Sequence, residues 1–154
     1  MVRSAAFGFA HERSRNVRIA FAGSEDLDYL EERDHIGRET IGQKIARREF
    51  IVAHRDDQRV GFLRYNYFWD DMPFMNLLWV QEELRSKGFG TRLISFWEEE
   101  MRKLGYDSIM TSTLSTNVRA QLLYRRLGYE DSGSLLIPGD PLEILFLKTL
   151  SGEA

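Results

Sequence analysis

The fold is decided by the stretch Val80-Gln81-Glu82-Glu83-Leu84-Arg85-Ser86-Lys87-Gly88-Phe89-Gly90-Thr91. The apolar run from Phe74 to Val80 predicts a strand before it, and apolar residues at helical spacing from Leu93 to Leu104 predict a helix after it. Gly88 and Gly90 therefore lie where a strand turns into a helix. Because glycine has no side chain, backbone N–H groups can come close to a ligand there. The helix N-terminus adds unpaired N–H donors and a partial positive charge, so we predict a phosphate or pyrophosphate site.

The spacing of this loop excludes two common phosphate motifs. A Walker A loop ends in Gly-Lys-Ser or Gly-Lys-Thr, and this loop does not. A dinucleotide-binding loop needs a third glycine where this chain has Leu93, and Asp107 precedes the next predicted strand instead of ending it. The remaining pattern is Arg-x-x-Gly-x-Gly, which starts at Arg85. Taken alone, it also fits a glycine-rich turn with solvated basic side chains.

A second informative segment is Asn117-Val118-Arg119-Ala120-Gln121-Leu122-Leu123-Tyr124-Arg125-Arg126-Leu127-Gly128-Tyr129. Asn117 is a good N-cap residue, and Gly128 is typical of a helix C-terminus. Leu123 and Leu127 lie four residues apart, as neighbours on one helix face do. The segment therefore predicts a short helix.

Together the two segments resemble the GNAT superfamily of N-acetyltransferases, with a detailed match over roughly residues 74 to 130. The resemblance implies an α+β fold with a mixed, mostly antiparallel central sheet flanked by helices. In that family two parallel neighbouring strands splay apart, and acetyl-CoA enters the gap between them. Here those strands would end at Val80 and Leu114.

The resemblance also assigns roles to residues of this chain. The pyrophosphate would bind the backbone amides of one run, Arg85, Ser86, Lys87, Gly88, Phe89, Gly90 and Thr91. The backbones of Leu78 and Val80 would pair with the pantetheine arm, and the Leu78 N–H would polarise the thioester carbonyl. Tyr124 would protonate the departing thiolate, which leaves poorly unless a group donates to it. Asn117 would cap its helix, bind the cofactor, or do both.

The general base stays open. Many family members place a glutamate on the strand before the glycine loop, where the alternate positions here are Phe74, Asn76 and Leu78, none of them acidic. Asn76 is a candidate for holding a water that carries the proton away. Glu143 is the other candidate, because it is the lone charge in an otherwise apolar strand and a buried charge needs a partner or a function.

The composition bounds the classes of function. A chain of 154 residues with 43% hydrophobic and 29% charged residues fits one soluble globular domain, expected at residues 17–150 after a leader at 1–16. The net charge of −3 gives no reason to expect nucleic-acid binding. There is no cysteine, so disulfides, cysteine metal sites and an acetyl-cysteine intermediate are excluded, and we expect no metal. No apolar run is long enough to cross a membrane, and a cytoplasmic protein follows by default.

Periodicity and turn residues predict the remaining elements. We expect a three-stranded antiparallel meander, then a right-handed βαβ unit, and finally a hairpin. We expect His35 to close the first helix and His54 to be a surface residue. The predicted strands are 17–22, 50–54, 60–69, 74–80, 108–114, 129–137 and 142–148, and the predicted helices are 25–36, 38–49, 90–105 and 117–127.

The predicted function is transfer of an acetyl group from acetyl-CoA to a primary amine of a small molecule or peptide, by direct attack in a ternary complex. A non-catalytic acetyl-CoA-binding sensor or interaction domain of the same fold is the alternative, and an unrelated phosphate-binding domain is a second. The oligomeric state stays open, with a homodimer as one alternative.

Carboxylates beside aromatic side chains suggest a cationic acceptor. They are Asp70, Asp71 and Glu143, with Tyr65, Tyr67, Phe68, Trp69 and Phe74.

Overall fold

The computed structural model describes residues 16–150, so the predicted leader at 1–16 lies, but for Asn16, outside the described residues. The strands are β1 (Val17–Phe21), β2 (Phe50–Arg55), β3 (Gln58–Phe68), β4 (Met72–Val80), β5 (Ser108–Leu114), β6 (Glu130–Leu135) and β7 (Glu143–Thr149). The helices are α1 (Leu27–Glu31), α2 (Arg38–Ala46), α3 (Phe89–Lys103) and α4 (Val118–Arg126), and short 3₁₀ turns lie at Ser24–Asp26 and Glu82–Leu84.

The seven strands form one sheet in the order β1-β2-β3-β4-β5-β7-β6. Every neighbouring pair is antiparallel except β4 and β5, which confirms the predicted mixed, mostly antiparallel α+β fold. The parallel pair is short: Phe74 lies opposite Met110 and Met75 opposite Thr111, and no further residues pair. Beyond Met75 the two strands splay, so none of the described strands pairs there with the edge of β4 that faces β5.

Helices α3 and α4 cover one face of the sheet. Helix α3 forms because its apolar residues recur at three- and four-residue intervals, which places them on one stripe. Leu93, Ile94, Trp97 and Met101 are fully buried, and they pack with Tyr124 of α4 in the larger core cluster. Helices α1 and α2 cover the opposite face, where Leu30 and Ile41 pack on residues of β2 and β3. The sheet is therefore the middle of three layers.

The first helix is shorter than predicted, and the prediction that His35 closes it is wrong. Helix α1 ends at Glu31 because the next residues serve a tertiary contact. The buried Asp34 carboxylate accepts a hydrogen bond from Arg64 Nε at 2.7 Å and one from the backbone N–H of Ile36 at 3.3 Å. An aspartate that bonds the backbone two residues on favours a turn over a helix. His35 itself is exposed.

The prediction that His54 is a surface residue is also wrong. The residue is 8% exposed, its Nε2 lies 4.0 Å from the buried Asp26 carboxylate, and β1 pairs beside it through Arg18. Burial, and next the nearby Arg18 guanidinium, lower the pKa of His54. The imidazole is thus held in its neutral form, as desolvation requires.

A bulge in β4 overturns the predicted alternation of Phe74, Asn76 and Leu78. Consecutive residues Arg64 and Tyr65 of β3 pair with Leu77 and Met75, which leaves Asn76 as an extra residue. Leu77 therefore packs against the α1–α2 cluster, and Leu78 packs on the same side as α3. The bulge lies just beyond the last parallel pair, at the point where β4 and β5 separate.

Candidate functional site

The glycine loop has the backbone geometry that the sequence predicts. Gly88 has φ +89°, a left-handed conformation that L side chains rarely adopt, and Ser86 is left-handed too at φ 62°. Helix α3 begins directly after Gly88, at Phe89. Gly90 is not left-handed, but a Cβ there would point at Leu78 Cδ2, 3.5 Å away across the space between α3 and β4. The loop therefore presents backbone to a ligand at the helix N-terminus.

A cleft of about 570 Å³ opens at this loop and extends between the splayed edge of β4, α3 and α4. Its inner wall is apolar and its mouth is basic. Most residues predicted to bind the cofactor line it: Leu78, Val80, Arg85, Ser86, Gly88, Gly90, Thr91 and Asn117. The residues that sequence reasoning did not single out are Leu84, Arg119, Ala120, Leu122, Leu123 and Arg126.

Three predicted residues do not line the cleft. Phe89 is 7% exposed, and its side chain packs in the core below α3. Lys87 is exposed, beside the cleft and not in its wall. Tyr124 is buried below the cleft. Only the backbones of Phe89 and Lys87 are therefore placed to take part in the anion site.

Arginines give the mouth of the cleft its charge. Arg85 Nε donates a hydrogen bond to the Val80 carbonyl at 2.9 Å, so this side chain caps the end of β4 as well as lining the cleft. Arg119 of α4 donates to the Ser86 hydroxyl, across the mouth from the helix to the glycine loop. None of the described residues that line the cleft is acidic. The arrangement suits an anion with more than one phosphate group.

The start of α4 is fixed by side chains. Asn117 Oδ1 accepts a hydrogen bond from the backbone N–H of Ala120 at 3.1 Å, which confirms the predicted N-cap. Gln121 Nε2 donates to the carbonyls of Ser115 at 2.9 Å and Leu114 at 3.2 Å, and so ties the helix to the end of β5. Asn117 therefore has a structural role and also lines the cleft.

Tyr124 lies one layer deeper, 6% exposed. Its ring packs edge-on against Phe146, with 5.6 Å between ring centroids, and at a tilt against Tyr129, with 5.9 Å between centroids. Burial raises the pKa of the Tyr124 phenol, the nearby Thr111 hydroxyl lowers it in part, and the charge of Glu143 raises it. The phenol thus keeps its proton through the neutral range, as a proton donor must.

Thr111 lies at the point where β4 and β5 separate, which we call the fork. It is 1% exposed, and its hydroxyl donates to the Met75 carbonyl of β4 at 3.0 Å. Met75 and Thr111 are the last paired residues of the two parallel strands, and Thr111 also lies opposite Phe146, on which Tyr124 packs. A threonine hydroxyl has one proton, and here it is directed at the Met75 carbonyl, so the oxygen keeps its lone pairs for another donor.

Asn76 projects from the bulge and is exposed. Its Nδ2 donates to Asn66 Oδ1 at 2.6 Å and to the Phe74 carbonyl at 3.3 Å. Both amide protons are therefore used within the protein, and the side-chain oxygen remains an acceptor for a water or an amine.

The acidic and aromatic residues predicted to meet the acceptor are not brought together. Asp70 and Asp71 lie in the β3–β4 turn, whereas Glu143 starts β7 opposite Leu114, at the other end of the sheet. At 3.3 Å per residue the separation along the strands is about 20 Å. The aromatics divide too. Tyr65 packs on Trp97 of α3 at 5.8 Å, and Phe68 stacks on Phe74 on the opposite face at 6.0 Å. Of the three carboxylates, only Glu143 is near Tyr124.

Comparisons with known proteins agree with this geometry. The sequence model of the Acetyltransferase (GNAT) family matches residues 17–129. The D-amino-acid N-acetyltransferase HPA3 of Saccharomyces cerevisiae is 34% identical over 76 residues, 46% of this chain and 47% of that protein. The match thus spans about half the length of that relative.

Solved structures support the fold. Ard1 of Thermoplasma volcanium superposes with a TM-score of 0.78 at 15% identity, over 88% of this chain and 99% of that one. The PaiA N-acetyltransferase of Thermoplasma acidophilum, solved with coenzyme A, gives 0.72 at 16% identity, over 87% and 99%. The splayed strands, the glycine loop and the family match lead to one conclusion: this chain belongs to the GNAT acetyltransferase family.

Proposed function

We propose that this protein is an N-acetyltransferase that moves an acetyl group from acetyl-CoA to a primary amine in a ternary complex. The observation that carries the proposal is the cleft between β4 and α4, which has a basic mouth at the glycine loop and runs along α4, the helix that carries the buried Tyr124 phenol. Residues 17–150 would form the single catalytic domain. A cytoplasmic location and a homodimer stay predictions.

The cleft fits acetyl-CoA along its length. The loop amides and arginines at the mouth suit the phosphates, because charge-assisted hydrogen bonds from N–H groups stabilise such anions by roughly 1.5–3 kcal/mol each. The apolar wall suits the pantetheine arm, and the unpaired edge of β4 offers backbone groups for that arm to pair with. We assign Leu78 and Val80 to this pairing, with the Leu78 N–H donating to the thioester carbonyl.

Acetyl-CoA supplies the thioester, and the neutral amine of the acceptor attacks its carbonyl carbon. As the C–S bond breaks, Tyr124 donates its phenolic proton to the sulfur. The proton that the amine loses goes to a base. The Asn76 oxygen, which accepts no hydrogen bond from residues 16–150, would hold a water for this purpose, and the Glu143 carboxylate is the second candidate.

Thr111 would act as a positioning residue in this step. Because its own proton is committed to the Met75 carbonyl, its oxygen would be the acceptor for the Tyr124 phenol and would hold that phenol where β4 and β5 separate and where the sulfur would arrive. It would also hold β4 and β5 together at the depth to which the cleft extends.

Turnover with acetyl-CoA and a panel of amines, followed by release of free thiol, tests the proposal. Tyr124→Phe keeps the packing and removes the donor, so it should lower kcat roughly 10²-fold with nearly unchanged acetyl-CoA affinity. A protein that binds acetyl-CoA but acetylates nothing would instead be the non-catalytic binding domain. A protein that does not bind acetyl-CoA would refute both functions.

For the acceptor, we propose an amine with a second positive charge, or the basic end of a peptide. Glu143 carries this proposal, since it is half-buried beside the proposed acid. The activity named for the yeast relative adds D-amino acids to the panel. D-lysine, polyamines and lysine peptides should therefore outperform D-glutamate. Glu143→Gln should raise KM for the cationic amines, and Asp71→Asn, in the distant β3–β4 turn, is the matched control. Better turnover with anionic amines would refute the acceptor class and leave the transferase intact.

A further inference from the structure

Exposed apolar side chains are concentrated at one end of the molecule. Among residues 16–150, nine large apolar side chains are exposed, and six of them lie on only two segments. One segment is the start of α4, and the other is residues 135–142 between β6 and β7, which we call the hairpin tip. A single exposed apolar residue is ordinary, but a contiguous group of them marks an interaction surface. The six are Val118 and Leu122 of α4, and Leu135, Leu136, Ile137 and Leu142 of the hairpin tip.

The two segments lie side by side. The backbone N–H of Ser115, just before α4, donates to the Leu142 carbonyl at 2.7 Å. Val118 and Leu122 are one helical turn apart, so both stand on the side of α4 that faces solvent. The hairpin tip and α4 are therefore two adjacent halves of one surface.

The two halves carry opposite charge. Residues 118–126 of α4 include three arginines and no acidic residue, whereas residues 130–142 include three acidic residues and no basic one. One pair of these charges meets within the chain, where Arg125 binds the Asp131 carboxylate at 2.9 and 2.8 Å. Asp140 is exposed at the hairpin tip. With apolar side chains on both halves and opposite charges between them, the surface is complementary to itself.

We propose that this surface joins two copies of the chain, with the hairpin tip of each copy packed on α4 of the other. In a two-fold symmetric dimer each contact occurs twice, so the surface must contain both complementary halves, as this one does. The charge also argues against a lipid bilayer as the partner, because anionic lipids attract basic segments and the hairpin tip is acidic.

The second copy would also extend the wall of the cleft. Leu122 lines the cleft and is exposed, so an apolar hairpin tip laid over it lengthens the apolar wall. The dimer would then bind acetyl-CoA more tightly than the single chain, and by linkage acetyl-CoA should tighten the dimer. This consequence rests on the proposed function, whereas the dimer itself does not.

Sedimentation velocity over a range of protein concentrations tests the dimer without any ligand. Leu136→Ser and Val118→Ser change side chains that are 83% and 61% exposed in one copy, so both variants should fold, as circular dichroism would show. Each should weaken the dimer about 100-fold, because the same side chain is lost from both contacts. Leu104→Ser changes a leucine that is 65% exposed outside this surface and should leave the dimer unchanged.

A mixture of the two variants tests which segments meet. In a mixed dimer, the unchanged hairpin tip of the Val118→Ser copy packs on the unchanged α4 of the Leu136→Ser copy, so one contact of the two is intact. The mixture should therefore dimerise more tightly than either variant alone. If it does not, the hairpin tip and α4 do not meet and the proposal is overturned. A wild-type protein that stays a single chain, or a dimer that neither substitution weakens, also overturns it, whether the surface then serves a peptide, a membrane or no partner.

The same sedimentation experiment with acetyl-CoA present separates the two proposals. Tightening of the dimer supports the extended cleft wall. A dimer that acetyl-CoA binds but does not tighten overturns that part and leaves the interface. A dimer that does not bind acetyl-CoA refutes the proposed function alone.

Discussion

Replacing Thr111 with valine separates the structural and the functional parts of the fork. Valine keeps the shape of threonine and removes the hydroxyl that donates to the buried Met75 carbonyl at 3.0 Å. Leaving a buried acceptor without its donor costs about 1–3 kcal/mol. For a protein of this size each kcal/mol lowers Tm by about 2–4 °C. Thermal unfolding should therefore show a loss of about 2–12 °C for Thr111→Val.

The same substitution should lower turnover if Thr111 positions Tyr124. We expect kcat to fall about tenfold with little change in KM for acetyl-CoA, since a small misplacement of a catalytic group is costly. Thr111→Ser is the control. It loses a buried methyl group, worth about 1 kcal/mol, but keeps the hydroxyl and so should keep most of the turnover.

A double substitution decides between positioning and simple damage to the fold. In a Tyr124→Phe background there is no phenol for Thr111 to orient, so Thr111→Val should lower kcat no further. If the two losses multiply, or if Thr111→Ser is as slow as Thr111→Val, the reasoning about the fork is wrong. The Tm loss of Thr111→Val should persist in either background, because the bond to Met75 does not involve Tyr124.

Three further predictions follow from packing and burial. Arg64→Leu leaves the buried Asp34 carboxylate without its guanidinium partner and should cost about 3–5 kcal/mol in urea unfolding, whereas a cost near zero would mean that the ion pair is not formed. Burial raises the pKa of Tyr29 and of Tyr67 to about 12, so the folded state holds these protons more tightly than the unfolded state. The associated stability is full below pH 10, the ordinary tyrosine pKa, and should be lost above it, as denaturant titrations across alkaline pH would show. Gly90→Val should fold normally and lose acetyl-CoA affinity in calorimetry, because its side chain would enter the cleft; unchanged affinity would move the cofactor elsewhere.

Much of the fold follows from local pattern. Helix α3 is predictable because its apolar residues repeat at helical spacing and its glycine has the backbone conformation that its start requires. Helix α1 is not, because its end is set by Arg64, thirty residues further along the chain. The prediction for His54 fails for a similar reason: charged neighbours in sequence suggest the surface, but the turn that carries the buried Asp26, far away in sequence, packs against it.

The site shows the same division. The glycine loop and the Asn117 cap are local features, and the sequence predicts both. The sequence motifs do not identify Arg119 and Arg126 as residues of the cleft wall. A helical wheel nevertheless places them two turns apart on one face, as it does Asn117 and Tyr124. No local pattern identifies Thr111, because its importance depends on which residue of a distant strand it meets.

The bulge at Asn76 has the largest consequence for the chemistry. Without the bulge, Leu78 would share a face with Asn76 and Phe74. With the bulge, Leu77 and Trp79 line the face opposite α3, and neither side chain can accept a proton. Strand β4 therefore supplies one polar side chain near the fork, Asn76, whose amide protons are already used. An amide oxygen holds a water but is not itself a base at neutral pH. In the reaction we propose, the proton lost by the amine would then leave through a water held by Asn76 or reach Glu143 on β7, so the two halves of that reaction would depend on different strands of the sheet.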